Sequence, residues 1–297
     1  MDNELTLFDR IEVIKTTNQK YDLENNAYLS FSGGKDSTIL HYLLDMALPN
    51  NNIPRVYADT GIEYNLIREF VMELAKTDKR IVIIKPSQPI KKTLETYGYP
   101  FKSKQHSDWV KRYQQKGMTE FVKNYLNEGT KQLFRPCPNK LKYQFTKDFN
   151  IKVSDMCCVK MKEEPLQKWQ KENNKAYSIL GLMREEGGRR GKIECLAFKR
   201  GVLKSFYPLA KVDKEWEEWF IEKYNIKLCK LYYPPYNFKR TGCKGCPFAL
   251  DLQECLDTME KYLPNERKQC EVIWKPVYEE YRRLGYRLKK VEEIKLL

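Results

Sequence analysis

The chain has 297 residues, of which 41% are hydrophobic and 32% are charged. That balance excludes a disordered chain and a membrane protein, and no apolar run approaches the roughly 18 residues needed to cross a bilayer. Lysine and arginine (54) outnumber aspartate and glutamate (40), which gives a net charge of +14. This charge is compatible with a nucleic-acid partner and equally with a nucleotide-binding enzyme.

The first residues and the cysteines bear on the cellular compartment and on the chemistry of the thiols. Residues Met1 to Glu4 are acidic where an export signal would be basic and then apolar, so we expect a cytoplasmic protein. Nine cysteines in a chain without an export signal predict metal or thiol chemistry rather than a disulfide framework. Only two histidines are present, so a structural metal would rely on sulfur ligands.

A strand, a glycine loop and a helix are predicted near the N-terminus. Residues 1–26 are predicted to form a helical segment that leads to a strand over Ala27–Phe31. The loop consists of Ser32, Gly33, Gly34, Lys35, Asp36 and Ser37. Paired glycines allow a tight turn with open N–H groups, and the following helix adds a partial positive charge at its N-terminus. The loop therefore predicts a phosphate or pyrophosphate site, and a turn that only joins strand to helix is the alternative.

Two more strands are predicted, over residues 53–58 and 80–85, with a helix over 64–76 between them. The first of these strands ends in Asp59, Thr60 and Gly61. Strands that alternate with helices predict an α/β, doubly wound, mostly parallel Rossmann-like sheet, whose ligands bind at the carboxyl ends of the strands. The glycine loop and the Asp59 segment both fall at such ends, so we predict that both bind the same phosphate-containing ligand.

The middle of the chain is predicted to be a helical insertion. Residues 86–150 are rich in basic and aromatic residues, which suits base stacking beside phosphate contacts. An amphipathic helical insertion with a solvated face explains the composition equally well. Further along, a strand is predicted over 176–181 and helices over 213–225 and 251–286.

Four cysteines fall into two close pairs. Cys157 and Cys158 are adjacent, and Cys243 and Cys246 form a C-x-x-C pair. Four thiolates can close a metal site, but an adjacent pair fits poorly with the usual spacing of zinc ligands. An iron–sulfur cubane takes four thiolates on separate irons, and nearby glycines free the backbone to wrap around it. The spacing therefore favours a [4Fe–4S] cluster, with zinc and unligated thiols as alternatives.

The order of these motifs resembles one known family. The loop from Ser32 to Ser37 is similar to the SGGxDS loop of the PP-loop ATP pyrophosphatases. It is followed by Asp59 to Gly61, the paired cysteines with Lys160 to Leu166, Gly181 to Arg190, Tyr207 to Leu209, and Gly242 to Pro247. The phosphoadenosine phosphosulfate (PAPS) reductase family carries its motifs in this order.

The resemblance implies a PAPS-reductase-like, adenine nucleotide alpha hydrolase-like domain over residues 27–250 and a C-terminal helical, cluster-binding segment over 251–297. It assigns the nucleotide phosphates to the glycine loop, with Lys35 and Asp36 in catalytic roles, and an anionic group of the nucleotide or substrate to Arg184. It also implies [4Fe–4S] ligation by the four paired cysteines, as in the adenylylsulfate reductases and the DNA phosphorothioation enzyme.

Two features depart from the sulfonucleotide reductases. Those enzymes carry a catalytic cysteine in a C-terminal Glu-Cys-Gly-Leu-His segment. The candidate here, Cys270, has different neighbours and lies in a predicted helix over 263–281. The intact glycine loop also resembles enzymes that cleave ATP between its α and β phosphates. Both departures argue against a housekeeping reductase.

Three functions are open from the sequence. The first is an ATP-dependent sulfurtransferase that uses Mg²⁺, adenylates a substrate such as DNA or tRNA, and takes sulfur from a donor such as a cysteine desulfurase. The second is an adenylylsulfate or phosphoadenylylsulfate reductase with Cys270 as nucleophile and a thiol donor. The third is a cluster-bearing nucleotide-binding or nucleic-acid-binding protein without turnover. In each case we expect an adenine nucleotide as a ligand and no membrane partner.

Overall fold

The computed structural model describes residues 2–131, 133, 135–187 and 190–290, without the side chains of Glu186 and Arg190. Parts of four sequence-based assignments lie outside these residues: Met1 of the N-terminal segment, residues 132 and 134 of the helical insertion, Gly188 and Arg189 of the motif from Gly181 to Arg190, and residues 291–297 of the C-terminal segment. No helix in the described part of the chain is long and apolar enough to cross a membrane.

The chain divides into two compact units, each built from two separate stretches. Unit 1 comprises residues 1–86 and 162–242, and unit 2 comprises residues 87–161 and 243–297. The predicted helical insertion therefore shares a unit with the predicted C-terminal segment, and the N-terminal helices share a unit with the sheet. These units differ from the sequence-based segments because packing between distant stretches, rather than chain order, defines them.

Unit 1 contains a six-stranded sheet within the described residues. Its strands are β1 Ala27–Ser30, β2 Arg55–Ala58, β3 Ile81–Ile84, β4 Tyr177–Ile179, β5 Leu196–Lys199 and β6 Val202–Phe206. Their order across the sheet is β3-β2-β1-β4-β6-β5, and only β5 runs antiparallel to its neighbour. The predicted α/β, doubly wound, mostly parallel sheet is confirmed, and each predicted strand is present in a shorter form.

The helices account for most of the remaining regular structure. Their bounds are α1 Asn3–Tyr21, α2 Leu23–Asn26, α3 Lys35–Ala47, α4 Asn65–Thr77, α5 Ile90–Tyr97, α6 Lys104–Lys116, α7 Glu120–Leu126, α8 Met156–Cys158, α9 Glu164–Glu172, α10 Lys214–Lys223, α11 Leu252–Tyr262, α12 Pro264–Ile273 and α13 Lys275–Leu284. A π-helical turn over Val159–Glu163 joins α8 to α9. Short 3₁₀ turns cover Asn139–Phe145, Arg184–Glu186, Arg190–Lys192 and Lys230–Tyr232.

The centre of the sheet positions the glycine loop. Strand β1 has parallel neighbours on both sides, with Leu29 level with Arg55 of β2 and Ile179 of β4. A strand in this position is covered on both faces, and Ala27, Tyr28 and Leu29 are accordingly buried. The chain leaves β1 at its carboxyl end and enters α3 directly, so the loop stands at the middle of the sheet edge.

Two local predictions differ from the structure. The single helix predicted over 263–281 was wrong: α12 ends at Ile273, and α13 begins at Lys275 with Pro276 in its first turn. Proline has no N–H to donate to the preceding turn, so a continuous helix would be interrupted there. The hairpin of β5 and β6 was not predicted, and it turns through Arg200 and Gly201, both with positive φ.

We predict a larger loss of stability for Gly33→Ala than for Gly61→Ala. Both glycines have positive φ (+69° and +76°), so either alanine costs about 1 kcal/mol in backbone conformation. A Cβ at Gly33 would lie 2.7 Å from Cγ2 of Val71, whereas nothing lies within 4 Å of one at Gly61. Overpacking should therefore cost Gly33→Ala about 1–3 kcal/mol more.

Thermal unfolding of the two variants beside the wild type measures this difference. Equal melting temperatures for Gly33→Ala and Gly61→Ala would show that the loop does not pack tightly against α4.

Candidate functional site

The stretch Ser32–Ser37 forms a closed hydrogen-bonded turn. The Ser32 N–H donates to Oγ of Ser37 (3.2 Å), and the two serine hydroxyls lie 2.9 Å apart. The Ser37 hydroxyl donates to the Gly34 carbonyl (3.0 Å), and the Gly34 N–H donates to Oγ of Ser32 (3.3 Å). Helix α3 starts at Lys35, so the turn holds the N-terminus of a 13-residue helix at the carboxyl edge of the sheet. This is a favourable location for an anion.

The hydroxyls of Tyr232 and Thr241, near the end of the second stretch of unit 1, lie beside this turn. The Tyr232 hydroxyl accepts the N–H of Lys35 (2.8 Å) and lies 2.5 Å from Oγ1 of Thr241. Burial raises the pKa of Tyr232 to about 12, so its hydroxyl stays protonated at neutral pH. The Tyr232 hydroxyl oxygen thus accepts a hydrogen bond from one N–H group at the N-terminus of α3, and such N–H groups also donate to phosphate oxygens.

The Lys35 ammonium is paired with a buried carboxylate. Its Nζ lies 3.1 Å from Oε2 of Glu217 on α10; the side chain of Lys35 is 19% exposed and that of Glu217 is 0% exposed. A buried carboxylate is retained in its charged form only when it is paired or hydrogen-bonded. Glu217 therefore fixes the direction of a lysine that the sequence assigns to the nucleotide phosphates.

A cavity of about 260 Å³ opens beside the turn, within unit 1. Its wall includes Lys35, Asp36 and Ser37 of the turn and, facing them, the exposed Lys239 and Arg240. The end of β4 contributes Gly181, where an added Cβ would lie 3.0 Å from the Asp36 carbonyl oxygen. Three cations and one carboxylate make this cavity suitable for a polyanion that carries a metal ion.

The segment after β2 lies beside a smaller cavity of about 70 Å³, which shares Ser32 and Thr241 with the larger one. Glu63 and Lys162 line this second cavity, with Lys162 Nζ 3.4 Å from Oε1 of Glu63. Thr60 donates its N–H (3.0 Å) and its hydroxyl (2.6 Å) to the same carboxylate. The structure therefore brings the Thr60 segment close to the glycine turn.

The remaining predicted site residues of unit 1 are Asp59, Gly61 and Arg184. Asp59 is buried and accepts a hydrogen bond from Nε of Arg68 (3.1 Å), and Gly61 is exposed with a φ of +76°. Arg184 donates to the Ile193 carbonyl and pairs with Oε2 of Glu194 (2.6 Å). Arg184 is not among the residues that line the two cavities.

The four paired cysteines belong to unit 2 and lie near one another. Cys157 is buried, and hydrogen bonding to Cys158 together with burial and the nearby Cys246 and Cys243 raises the pKa of its thiol. The thiols are thus close enough for mutual electrostatic interaction. The described side chains nevertheless contain no group of three or more Cys, His, Asp or Glu already arranged to hold a metal ion.

Three aromatic side chains hold the backbone of the C-x-x-C segment. The Trp274 indole donates to the Lys244 carbonyl (3.0 Å), the Tyr278 hydroxyl to the Gly245 carbonyl, and the Tyr281 hydroxyl to the Pro247 carbonyl (2.9 Å). All three aromatic residues are buried. The segment between Cys243 and Pro247 is therefore fixed by side chains of α13 and of the residue that precedes it.

Cys270 packs against this same segment. It is buried, and burial raises the pKa of its thiol to about 12. Gly245 has a φ of +58°, and a Cβ there would lie 2.8 Å from Sγ of Cys270. Cys270 therefore fills the space beside Gly245, and its thiol is neutral and inaccessible at neutral pH.

Sequence reasoning missed several residues that line or support the cavities. Thr241 and Arg240 precede the C-x-x-C pair by two and three residues, so the motif itself could have indicated them. Tyr232 and Glu217 carry no such signal, because only the tertiary fold brings them to Lys35.

The chain was compared with known families and structures. It matches the model of the phosphoadenosine phosphosulfate reductase domain over residues 26–135 and 137–249. A comparison with curated proteins found no match. A phosphoadenylyl-sulfate (PAPS) reductase from Candida auris, in a phosphate complex, is 13% identical with a TM-score of 0.46, covering 77% of this chain and 87% of that chain. The U34-tRNA thiolase NcsA from Methanococcus maripaludis, with its [4Fe-4S] cluster, is 16% identical with a TM-score of 0.39, covering 93% and 80%.

We predict that Lys35→Met destabilises the protein and that Glu217→Gln added to it restores much of the loss. Lys35→Met removes the cation 3.1 Å from a buried carboxylate, which should cost about 3 kcal/mol. The double variant removes the buried negative charge as well. Urea unfolding of the wild type, both single variants and the double variant gives the coupling free energy. Strictly additive losses would contradict a buried ion pair.

Proposed function

Because the chain belongs to the phosphoadenosine phosphosulfate reductase domain family, we propose that it is an ATP-dependent sulfurtransferase. It would adenylate an acceptor at an oxygen and replace that oxygen with sulfur. The observation that carries this proposal is the closed turn Ser32–Ser37 at the N-terminus of α3, which opens on a cavity with three cationic side chains.

The turn and the cavity supply what ATP binding requires. The N-terminus of α3 and its hydroxyls would accept the phosphates, and Lys35, Lys239 and Arg240 would balance their negative charge. Asp36 is the residue in this wall that would hold Mg²⁺ on the phosphates. The smaller cavity between the ends of β1 and β2, beside Thr60, would adjoin the nucleoside.

The first chemical step is adenylyl transfer. An acceptor oxygen attacks the α-phosphorus, the bond from that phosphorus to the bridging oxygen breaks, and pyrophosphate leaves with the bonding electrons. Cations on the cavity wall stabilise this step because negative charge builds up on the departing pyrophosphate. Sulfur at the oxidation level of sulfide then displaces AMP from the acceptor, so neither step needs an external oxidant.

Cys157, Cys158, Cys243 and Cys246 are proposed to hold a [4Fe–4S] cluster. The donor set suits such a cluster, because Cys158, Cys243 and Cys246 all lie near enough to Cys157 to raise the pKa of its thiol, and the C-x-x-C backbone is fixed by Trp274, Tyr278 and Tyr281. When bound, such a cluster could carry the sulfur. A sulfur donor such as a cysteine desulfurase with its reductant would supply it.

The geometry of Cys270 argues against a sulfonucleotide reductase. In that mechanism the Cys270 thiolate would attack the sulfonucleotide sulfur, so the thiol would have to be exposed and acidic. It is buried, its pKa is raised to about 12, and it supports the Gly245 turn. These contacts favour a packing role.

We predict that Ser37→Ala weakens ATP binding at least about tenfold, because it removes a hydroxyl from the cavity wall and opens the turn. Thr38→Val is the matched control: Thr38 also donates to the Gly34 carbonyl (2.9 Å) but is fully buried outside the cavity. Calorimetry with ATP measures both. Equal affinity in wild type and Ser37→Ala would refute the assignment of the phosphates to this turn.

Turnover is tested by pyrophosphate release from ATP in the presence of candidate acceptors and a sulfur donor. Wild type should release pyrophosphate only with an acceptor present, and Asp36→Asn should abolish this release. ATP binding without pyrophosphate release for any acceptor, across single-stranded and structured nucleic acids, would favour the non-catalytic alternative.

We also predict about four irons and four sulfides per chain in protein purified without oxygen. Cys246→Ser should lose the visible absorbance of the cluster. Cys255→Ser, at a partly buried cysteine of α11 outside the two pairs, should keep it. Stoichiometric zinc in protein made with ample iron would contradict the cluster.

A further inference from the structure

The positive charge of the chain is concentrated in one part of unit 2. Residues 87–161 hold 15 lysines and arginines against six aspartates and glutamates, so they carry nine of the fourteen net positive charges. The exposed lysines of this stretch include Lys116, which ends α6, and Lys123 on α7. A net positive charge of this size attracts a polyanion.

An aromatic stack runs through the same two helices. The Trp109 ring of α6 lies 5.5 Å from that of Tyr125 on α7 with an interplanar angle of 9°, and 6.3 Å from that of Phe121 at 29°. Tyr125 is buried and is fixed by its hydroxyl, which lies 2.9 Å from Nδ1 of His106. The stack is therefore anchored in the interior of unit 2, and Phe121 is its outer end.

The outer end of the stack is exposed, and a cation lies over its middle ring. Phe121 is 66% exposed, and Met118 in the turn between α6 and α7 is 43% exposed. The Arg112 guanidinium lies 5.7 Å from the centre of the Trp109 ring, is about half exposed and pairs with Asp108 (2.8 Å). An exposed ring on a fixed support, with cations on the same helices, combines the two features that bind unpaired bases and their phosphates.

We propose that the α6–α7 surface, defined by Trp109, Arg112, Met118 and Phe121, binds single-stranded nucleic acid. A base would stack on Phe121, and the lysines of α6 and α7 would contact the flanking phosphates. Positive charge favours this occupant over an apolar protein segment, for which the surplus of lysine and arginine would be unfavourable. A duplex would bind less tightly because its bases are already stacked and paired.

This surface is inferred from unit 2 alone, and its binding requires neither ATP nor turnover. Its interpretation as the docking surface for the sulfur acceptor rests on the proposed function. If oligonucleotides bind while pyrophosphate release fails, the surface stands and the sulfurtransferase proposal does not. If pyrophosphate is released with a small acceptor and no oligonucleotide binds, the sulfurtransferase proposal stands and the nucleic-acid surface does not.

Fluorescence anisotropy of labelled 20-nucleotide DNA and RNA strands with the full-length protein tests the proposal. Phe121→Ala should weaken binding about tenfold, as expected for the loss of one stacked base. Phe8→Ala is the matched control, because Phe8 is equally exposed (65%) on α1 of unit 1 among Asp2, Glu4 and Asp9. It should bind like the wild type, and Phe121→Tyr should retain most of the affinity. A stronger effect on RNA than on DNA, or the reverse, identifies the preferred strand.

Salt dependence provides a second measurement. Lys116→Gln and Lys123→Gln should each reduce the slope of log affinity against log salt by about one for a contacted phosphate. Phe121→Ala should change the affinity but leave this slope unchanged. The proposal is overturned if no single strand binds at low salt, if Phe121→Ala and Phe8→Ala have equal effects, or if duplex binds as tightly as single strands.

Discussion

The candidate nucleotide site depends on one backbone turn that only glycine can make. At Gly33 the chain has a φ of +69° and lies against Val71 and Ile67 of α4, leaving no room for a side chain. This turn allows β1 to pass directly into α3, so the helix N-terminus stands at the centre of the sheet edge. The hydrogen bonds between Ser32, Gly34 and Ser37 then close the turn. Much of the cost of ordering the loop is therefore met by the fold itself.

The sequence was informative wherever a few neighbouring residues determine the structure. The strand, turn and helix around Gly33 and the alternating pattern of the sheet are local, and they were predicted correctly. Glu217 and Tyr232 could not be predicted, because they reach Lys35 from nearly 200 residues away. The β5–β6 hairpin was missed for another reason: its turn is Arg200–Gly201, both residues have positive φ, and only the glycine gives a turn signal.

Unit 2 fixes its cysteine segment by a different physical means. Around Gly33 the backbone is held by the hydroxyls of the two serines in the same turn. The Lys244, Gly245 and Pro247 carbonyls instead accept hydrogen bonds from buried aromatic side chains. Each of these donors would be costly to leave unpaired in the interior, so the aromatic residues and the segment stabilise one another. The same packing accounts for Cys270. A small, neutral thiol fits beneath a glycine with a φ of +58°. The spacing of the cysteines separates Cys270 from the two close pairs, but only the fold shows what Cys270 packs against.

The distribution of charge separates two tasks within one chain. The cations around the unit 1 cavity are few, and Lys35 is directed by a buried carboxylate, which suits a small ligand of defined shape. The cations of residues 87–161 outnumber the acidic residues by nine, and those on α6 and α7 are mostly exposed and accompany an aromatic ring that projects into solvent. Exposed charges are screened and give little to stability, so their excess is not explained by folding. A long, flexible polyanion makes use of such a surface, because many weak phosphate contacts add up while the stacked base fixes the register.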